Sequence, residues 1–147
     1  MSAAHRFGSI AALVGVGISA YLLFIRLTGG HAVCGPALGP FGGCATVETS
    51  AWSSIGPIPV AAVGLLGSML LFSTTVLHSR SGDERALALW VLAATVGAMI
   101  ELGLIAIQAL LIGAWCVWCL SYGLTVFASA ACALSAARAA ERRSRGG

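Results

Sequence analysis

Val117-Trp-Cys-Leu-Ser-Tyr-Gly-Leu-Thr-Val-Phe-Ala-Ser-Ala-Ala-Cys-Ala-Leu-Ser-Ala-Ala137 carries no charged side chain, and the basic cluster Arg138, Arg142, Arg143 and Arg145 follows it. A run of this length is what a helix needs to cross a ~30 Å hydrocarbon core, at ~20 residues per span. Three comparable runs lie upstream, at Phe7–Leu27, Ile58–His78 and Ala86–Ile112. Hydrophobic residues make up 59% of the 147-residue chain and charged residues 9%, against about 25% charged in soluble domains. Such a chain cannot cover a soluble core with a polar surface. The expected fold is an all-α membrane protein, one four-transmembrane-helix bundle spanning residues 1–147, with lipid as its solvent.

All eight basic residues are Arg, and the net charge is +3. They sit at the ends of the apolar runs, a pattern of membrane orientation and not of nucleic-acid binding. Arg6, the Arg80/Arg85 loop and the C-terminal Arg cluster share one side. Basic residues favour the cytoplasmic side, so both termini are expected there. The outer loop, about 28–57, and the tight connection 113–116 then face outward, with Arg26 the exception. The first run is too long for the apolar part of a signal peptide and lacks an A-x-A site, so a retained helix is expected.

Four of the five cysteines fall on that outer side: Cys34, Cys44, Cys116 and Cys119. Outside a bacterial plasma membrane disulfides form and persist. The first pair lies in the Gly- and Pro-rich stretch Cys34-Gly-Pro-Ala-Leu-Gly-Pro-Phe-Gly-Gly-Cys44, which can turn enough to close a disulfide. It reads equally as a structural staple. The second pair, Cys116-Val-Trp-Cys119, opens the fourth helix. Free N–H groups and the helix dipole favour a thiolate there, and the thiolate is the nucleophile in disulfide exchange. Two thiolates alone do not make a structural zinc site, although both pairs together supply four ligands. Cys132 lies about 20 Å further along the helix at 1.5 Å per residue, too far to join.

Between the pairs runs Cys44-Ala-Thr-Val47-Glu-Thr-Ser50-Ala-Trp52, followed by Gly56-Pro-Ile-Pro59. With the late Cys-x-x-Cys, this resembles the bacterial branch of the vitamin K epoxide reductase family over nearly the whole chain. The resemblance implies a four-helix bundle around a quinone pocket, capped by the first outer loop. It implies a membrane thiol–quinone oxidoreductase that re-oxidises a thioredoxin-like partner and reduces ubiquinone or menaquinone, supporting disulfide formation. Cys34 would exchange with the partner, Cys44 would shuttle electrons inward, Cys116 would form a mixed disulfide with Cys44, and Cys119 would face the quinone. Ser50 and Trp52 match the family's loop serine and tryptophan. The loop pair is spaced a little wider than in many relatives. The chain has no Asn, so the asparagine that contacts quinone in animal members has no counterpart, and Tyr122 stands one residue earlier than their tyrosine. No thioredoxin-like domain follows the bundle, so the partner is expected to be a separate protein.

Glu101 sits inside the third run, where a charge costs at least ~2.5 kcal/mol. It is expected either on a proton path beside the quinone or in an interhelical hydrogen bond, to Gln108 or Arg26. Arg26 reads as an interfacial anchor or a hold on the cap loop, and His31 as a solvated loop residue. Trp90 is expected near the inner interface. Residues 46–54 are expected to form a short interfacial helix with Val47 and Trp52 turned inward, and Pro57 and Pro59 to start the second transmembrane helix.

Three other readings remain at this point. A second disulfide-oxidase family would place the Cys-x-x-Cys in the first outer loop, the reverse of the order here. A Cys-based metal-binding membrane protein predicts thiols that stay reduced around a metal. A bundle stapled by two disulfides predicts that no quinone re-forms them.

Overall fold

The structure, a computed structural model, describes residues 2–147, with the side chains of residues 36–38 outside the description. Helix α1 spans Ala3–Thr28 and ends at Gly29, whose φ of 72° no β-carbon obstructs and whose N–H caps the Ile25 carbonyl. Helix α3, Val60–Ser81, ends the same way at Gly82. Helix α4, Glu84–Ile107, starts at Asp83, whose Oδ1 accepts the Arg85 N–H at 2.9 Å. It widens into a π turn at Gln108–Ile112, closed when the Gly113 N–H bonds the Gln108 carbonyl at 2.9 Å. Helix α5 is Val117–Gly146. Among the described residues, four helices are therefore long and apolar enough to cross a membrane: α1, α3, α4 with its π turn, and α5.

The helix ends differ from those read in the sequence. Helix α3 starts at Val60, because Ile58–Pro59 (β2) pairs antiparallel with Ser54–Ile55 (β1). Gly56 has the φ of 59° that the two-residue turn between them requires. Pro57 and Pro59 therefore precede the helix and do not begin it. Helix α5 runs on past Ala137, since Ala, Arg and Glu all favour helix and Glu141 pairs with Arg145 at 2.6 Å. The expected helix over 46–54 is broken. Helix α2 covers only Cys44–Glu48, and a single 3-10 turn follows at Ala51–Ser53. Ser50 adopts extended backbone between them, and its Oγ donates to the Val47 carbonyl at 2.7 Å, competing with the helix ladder.

Helix α1 packs between α3 and α5, and α4 closes the ring against both. Small residues let the helices approach closely. A β-carbon at Gly8 would come within 2.6 Å of Trp90 Cζ2. Trp90 lies in the bundle core with Ala12, Leu71, Ala94 and Ala133, and its Nε1–H donates to Ser129 Oγ at 3.3 Å. It stands at the termini end, as expected, but faces the bundle interior and not the interface. Large apolar side chains such as Leu66, Met99 and Leu124 point outward, as a lipid solvent requires.

Candidate functional site

All four cysteines of the two pairs meet at the end of the bundle remote from the termini. Cys44 and Cys116 are both 0% exposed and share one buried cluster with Ile25 and Ala32, against which Cys34 and Cys119 pack. Cys34 and Cys44 are joined as a disulfide with Cα atoms 6.1 Å apart, while Cys116 and Cys119 are free thiols.

Backbone contacts hold the loop pair on the helix pair. Gly42 bridges Cys116 in antiparallel fashion, and the Gly43 N–H donates to the Trp115 carbonyl at 3.0 Å. A β-carbon at Gly43 would lie 2.9 Å from Ala114 Cβ, so only glycine allows this approach. The loop before Cys34 is pinned three ways. The Ala32 N–H donates to the Glu48 carboxylate at 3.3 Å, the Val33 N–H to the Tyr21 hydroxyl at 3.1 Å, and Trp118 Nε1–H to the Val33 carbonyl at 3.2 Å. Arg26 holds the cap from below: it donates to the Glu48 carbonyl at 3.1 Å and to Ser54 Oγ at 3.3 Å. His31 Nδ1 stands 3.6 Å from the Glu48 carboxylate with most of its side chain exposed, as a loop residue in contact with solvent.

Cys116 precedes the first residue of α5. Its sulfur accepts the Cys119 N–H at 3.3 Å, and its own N–H donates to Gln108 Oε1 at 3.0 Å. The Cys116 thiol is held below its ordinary range. The Cys119 thiol that hydrogen-bonds to it is the main cause, and the Cys119 and Trp118 N–H groups add to it against the opposing effect of burial. This is the electronic condition for a nucleophile or a good leaving group.

Behind the cysteines a cavity of about 440 Å³ opens between the helices, within the ~300–1,000 Å³ range of ligand sites. Among the four paired cysteines only Cys119 lines it. Ser50 and Trp52 line its mouth, with Trp52 still 51% exposed and so only partly turned inward. Val47 faces both the cavity and the cysteine cluster. Tyr122 lines the wall, yet its hydroxyl hydrogen goes to the Gly64 carbonyl at 3.0 Å. Glu101 also lines the cavity and is 3% exposed. Among the described residues it bonds neither Gln108, whose oxygen takes the Cys116 N–H, nor Arg26, which donates to Glu48 and Ser54, so the expected interhelical hydrogen bond is absent. It rests instead against Gly123, where a β-carbon would meet its Cγ and Oε1 at 2.9 Å. Cys132 lies in the other half of the bundle, beside Gly8 and the Trp90 cluster.

The sequence reading did not foresee the roles of Gln108, Glu48 and Tyr21. Gln108 was visible as a polar residue in an apolar run, but its partner was not. Among the described residues no three His, Cys, Asp or Glu side chains gather to hold a metal. The arrangement brings a disulfide, a dithiol and an apolar cavity together at one end of the bundle.

A family model described as the vitamin K epoxide reductase family matches residues 8–134. No curated protein matches the chain.

Proposed function

The chain belongs to the vitamin K epoxide reductase family and is a multi-pass membrane thiol–disulfide oxidoreductase; from that premise we propose that it oxidises a separate thioredoxin-like protein and passes the electrons to a membrane quinone. Members of the family use quinones. The observation that carries the reading is the division of the cysteines: one cluster holds all four, and only Cys119 reaches the cavity.

The residues present fit such a ring. The cavity is largely apolar and has a thiol and a few polar groups on its wall, among them Glu101 and Tyr122. What a bound quinone supplies is an acceptor for two electrons and two protons. The chain's own steps are disulfide exchanges. A partner thiolate attacks Cys34, releasing Cys44 as a thiolate while the partner's second thiol resolves the mixed disulfide. Cys44 attacks Cys116 of the Cys116–Cys119 disulfide and releases the Cys119 thiolate. Cys34 then displaces Cys116, which restores the Cys34–Cys44 disulfide and leaves both electrons on Cys116 and Cys119. Cys116 and Cys119 close to a disulfide as they give up the electrons at the cavity wall. Glu101 is a titratable group there that can hand on a proton, and Ser50 and Trp52 border the opening through which the ring enters.

The asymmetric Arg distribution supports placing the termini in the cytoplasm and the cysteine end outside, in a bacterial plasma membrane. The chain is proposed to act as one domain.

The test is a quinone-coupled thiol trap. The reduced protein is mixed with ubiquinone or menaquinone without oxygen, while free thiols and quinol are followed. Loss of thiols in step with quinol, abolished by Cys119→Ala, is expected. Thiols that persist with no quinol formed would overturn the assignment.

A further inference from the structure

Gln108 is 3% exposed and sits in the π turn that ends α4. An amide side chain has one acceptor oxygen and two N–H donors. The Cys116 N–H can only donate, so the atom 3.0 Å from it must be the Gln108 oxygen. That contact fixes the amide's orientation and leaves the NH2 group on the far side. Among the described residues no acceptor meets this nitrogen. Among the described residues the sealed, unpartnered side-chain polar atoms are His5 Nε2 and Ser9 Oγ, so the Gln108 nitrogen opens onto the cavity that the residue lines.

A donor with no acceptor on the wall it faces calls for a partner when the site is filled. The cavity wall is otherwise mostly apolar, and the Tyr122 hydroxyl hydrogen is already committed to Gly64. Gln108 is therefore the neutral donor left free to bind an acceptor in the cavity. It is one hydrogen bond from Cys116 and thus stands at the cysteine end of the space.

We propose that Gln108 is a carbonyl-binding residue: its oxygen ties down the Cys116 amide while its NH2 group donates a hydrogen bond to a quinone carbonyl. This inference rests on the quinone reading above. It makes Gln108 a link between ligand and nucleophile, since one planar group both orients the ring and sets the turn that carries Cys116. The π turn serves this arrangement. Its wider ring, closed from the Gly113 N–H to the Gln108 carbonyl, ends the helix at the residue whose side chain must reach Cys116.

The test uses full-length protein in lipid nanodiscs with ubiquinone carrying 13C at its carbonyls. Difference infrared spectra are recorded for wild type, Gln108→Met and Gln108→Glu. In wild type the carbonyl stretch is expected below that of free ubiquinone. Gln108→Met should return it to the free value and raise the quinone KM about tenfold, the loss of one good hydrogen bond. Gln108→Glu keeps the acceptor for Cys116 and donates only when protonated. Its carbonyl shift should therefore persist at low pH and vanish at high pH. Wild-type frequencies in both variants, with quinol still formed, would overturn the Gln108 assignment and leave the quinone function standing. A wild-type protein that forms no quinol and shows no bound carbonyl would remove both. If Gln108→Met fails to fold, the pH response of Gln108→Glu decides alone.

Discussion

The Cys119 N–H points at the Cys116 sulfur across 3.3 Å, and the Cys119 thiol bonds the same atom. One residue thus supplies both the second sulfur of the pair and much of what lowers the thiol pKa of the first. Because the Cys116 pKa is lowered, its thiolate forms at lower pH than an ordinary thiol near ~8.5, and its reactivity should persist further into the acid side. Cys119→Ala removes the side-chain donor, so the midpoint should rise. Cys119→Ser keeps an O–H donor and should raise it less. Alkylation of Cys116 by a small methanethiosulfonate across pH, read by mass spectrometry, checks the order. Equal midpoints in all three proteins would show that the hydrogen bond does not set the reactivity.

Cys44 and Cys116 share a sealed cluster, so a bond between them needs little rearrangement. Cys34→Ala removes the sulfur that would free Cys116. The variant should stop turning over and accumulate a Cys44–Cys116 link, seen as a joined peptide after digestion without reductant. Turnover that survives in this variant would exclude Cys34 from the relay.

Glu101 lies against Gly123, with no room for a methyl group between them. Gly123→Ala should cost about 1–3 kcal/mol, as overpacking does. In a Glu101→Ala background the cost should fall, because the clashing carboxylate is gone. Denaturation in a mild detergent series gives the cycle, and additivity of the two changes would deny the contact. Glu101→Gln should separately flatten the pH dependence of quinol formation, if the carboxyl hands on protons.

Glu48 joins the loop before Cys34 to the helix that starts at Cys44. Glu48→Ala should speed hydrogen exchange at the Ala32 amide by about tenfold, roughly one hydrogen bond lost, and leave α3 and α4 unchanged. The tether is not needed if exchange at Ala32 stays at the wild-type rate.

Trp90 anchors the half of the bundle away from the cysteines. Trp90→Ala should lower stability by about 3–5 kcal/mol and leave the thiol chemistry of the surviving folded protein intact. Thermal unfolding and Cys116 alkylation on one sample separate the two effects.

The four spans were legible because lipid demands long uncharged runs, and Val117–Ala137 states this without help from tertiary contacts. The cysteine pairs were legible because spacing and flanking glycines are local. What the sequence hid was non-local. Nothing near Gln108 says that its oxygen faces an amide eight residues on, since hydropathy is blind to a π turn. Glu101 was noticed as a misplaced charge, but Gly123, which makes space for it, reads simply as one more glycine in a glycine-rich chain. Ser50 was matched by its motif, whereas its effect on backbone geometry, breaking the cap helix, showed only in three dimensions.

The π turn has a consequence for how this end of the protein tolerates change. Its outer residues, Leu110 and Leu111, face away from the bundle, with Leu110 81% exposed. Swapping them for other apolar residues should alter little. The Gly113 N–H reaches the Gln108 carbonyl across one residue more than an α turn holds, so deleting one residue between Ala109 and Ile112 should leave an ordinary α closure on the same carbonyl, with the connection to Cys116 still in place. At this junction both the spelling of the chain and the number of letters have room to change.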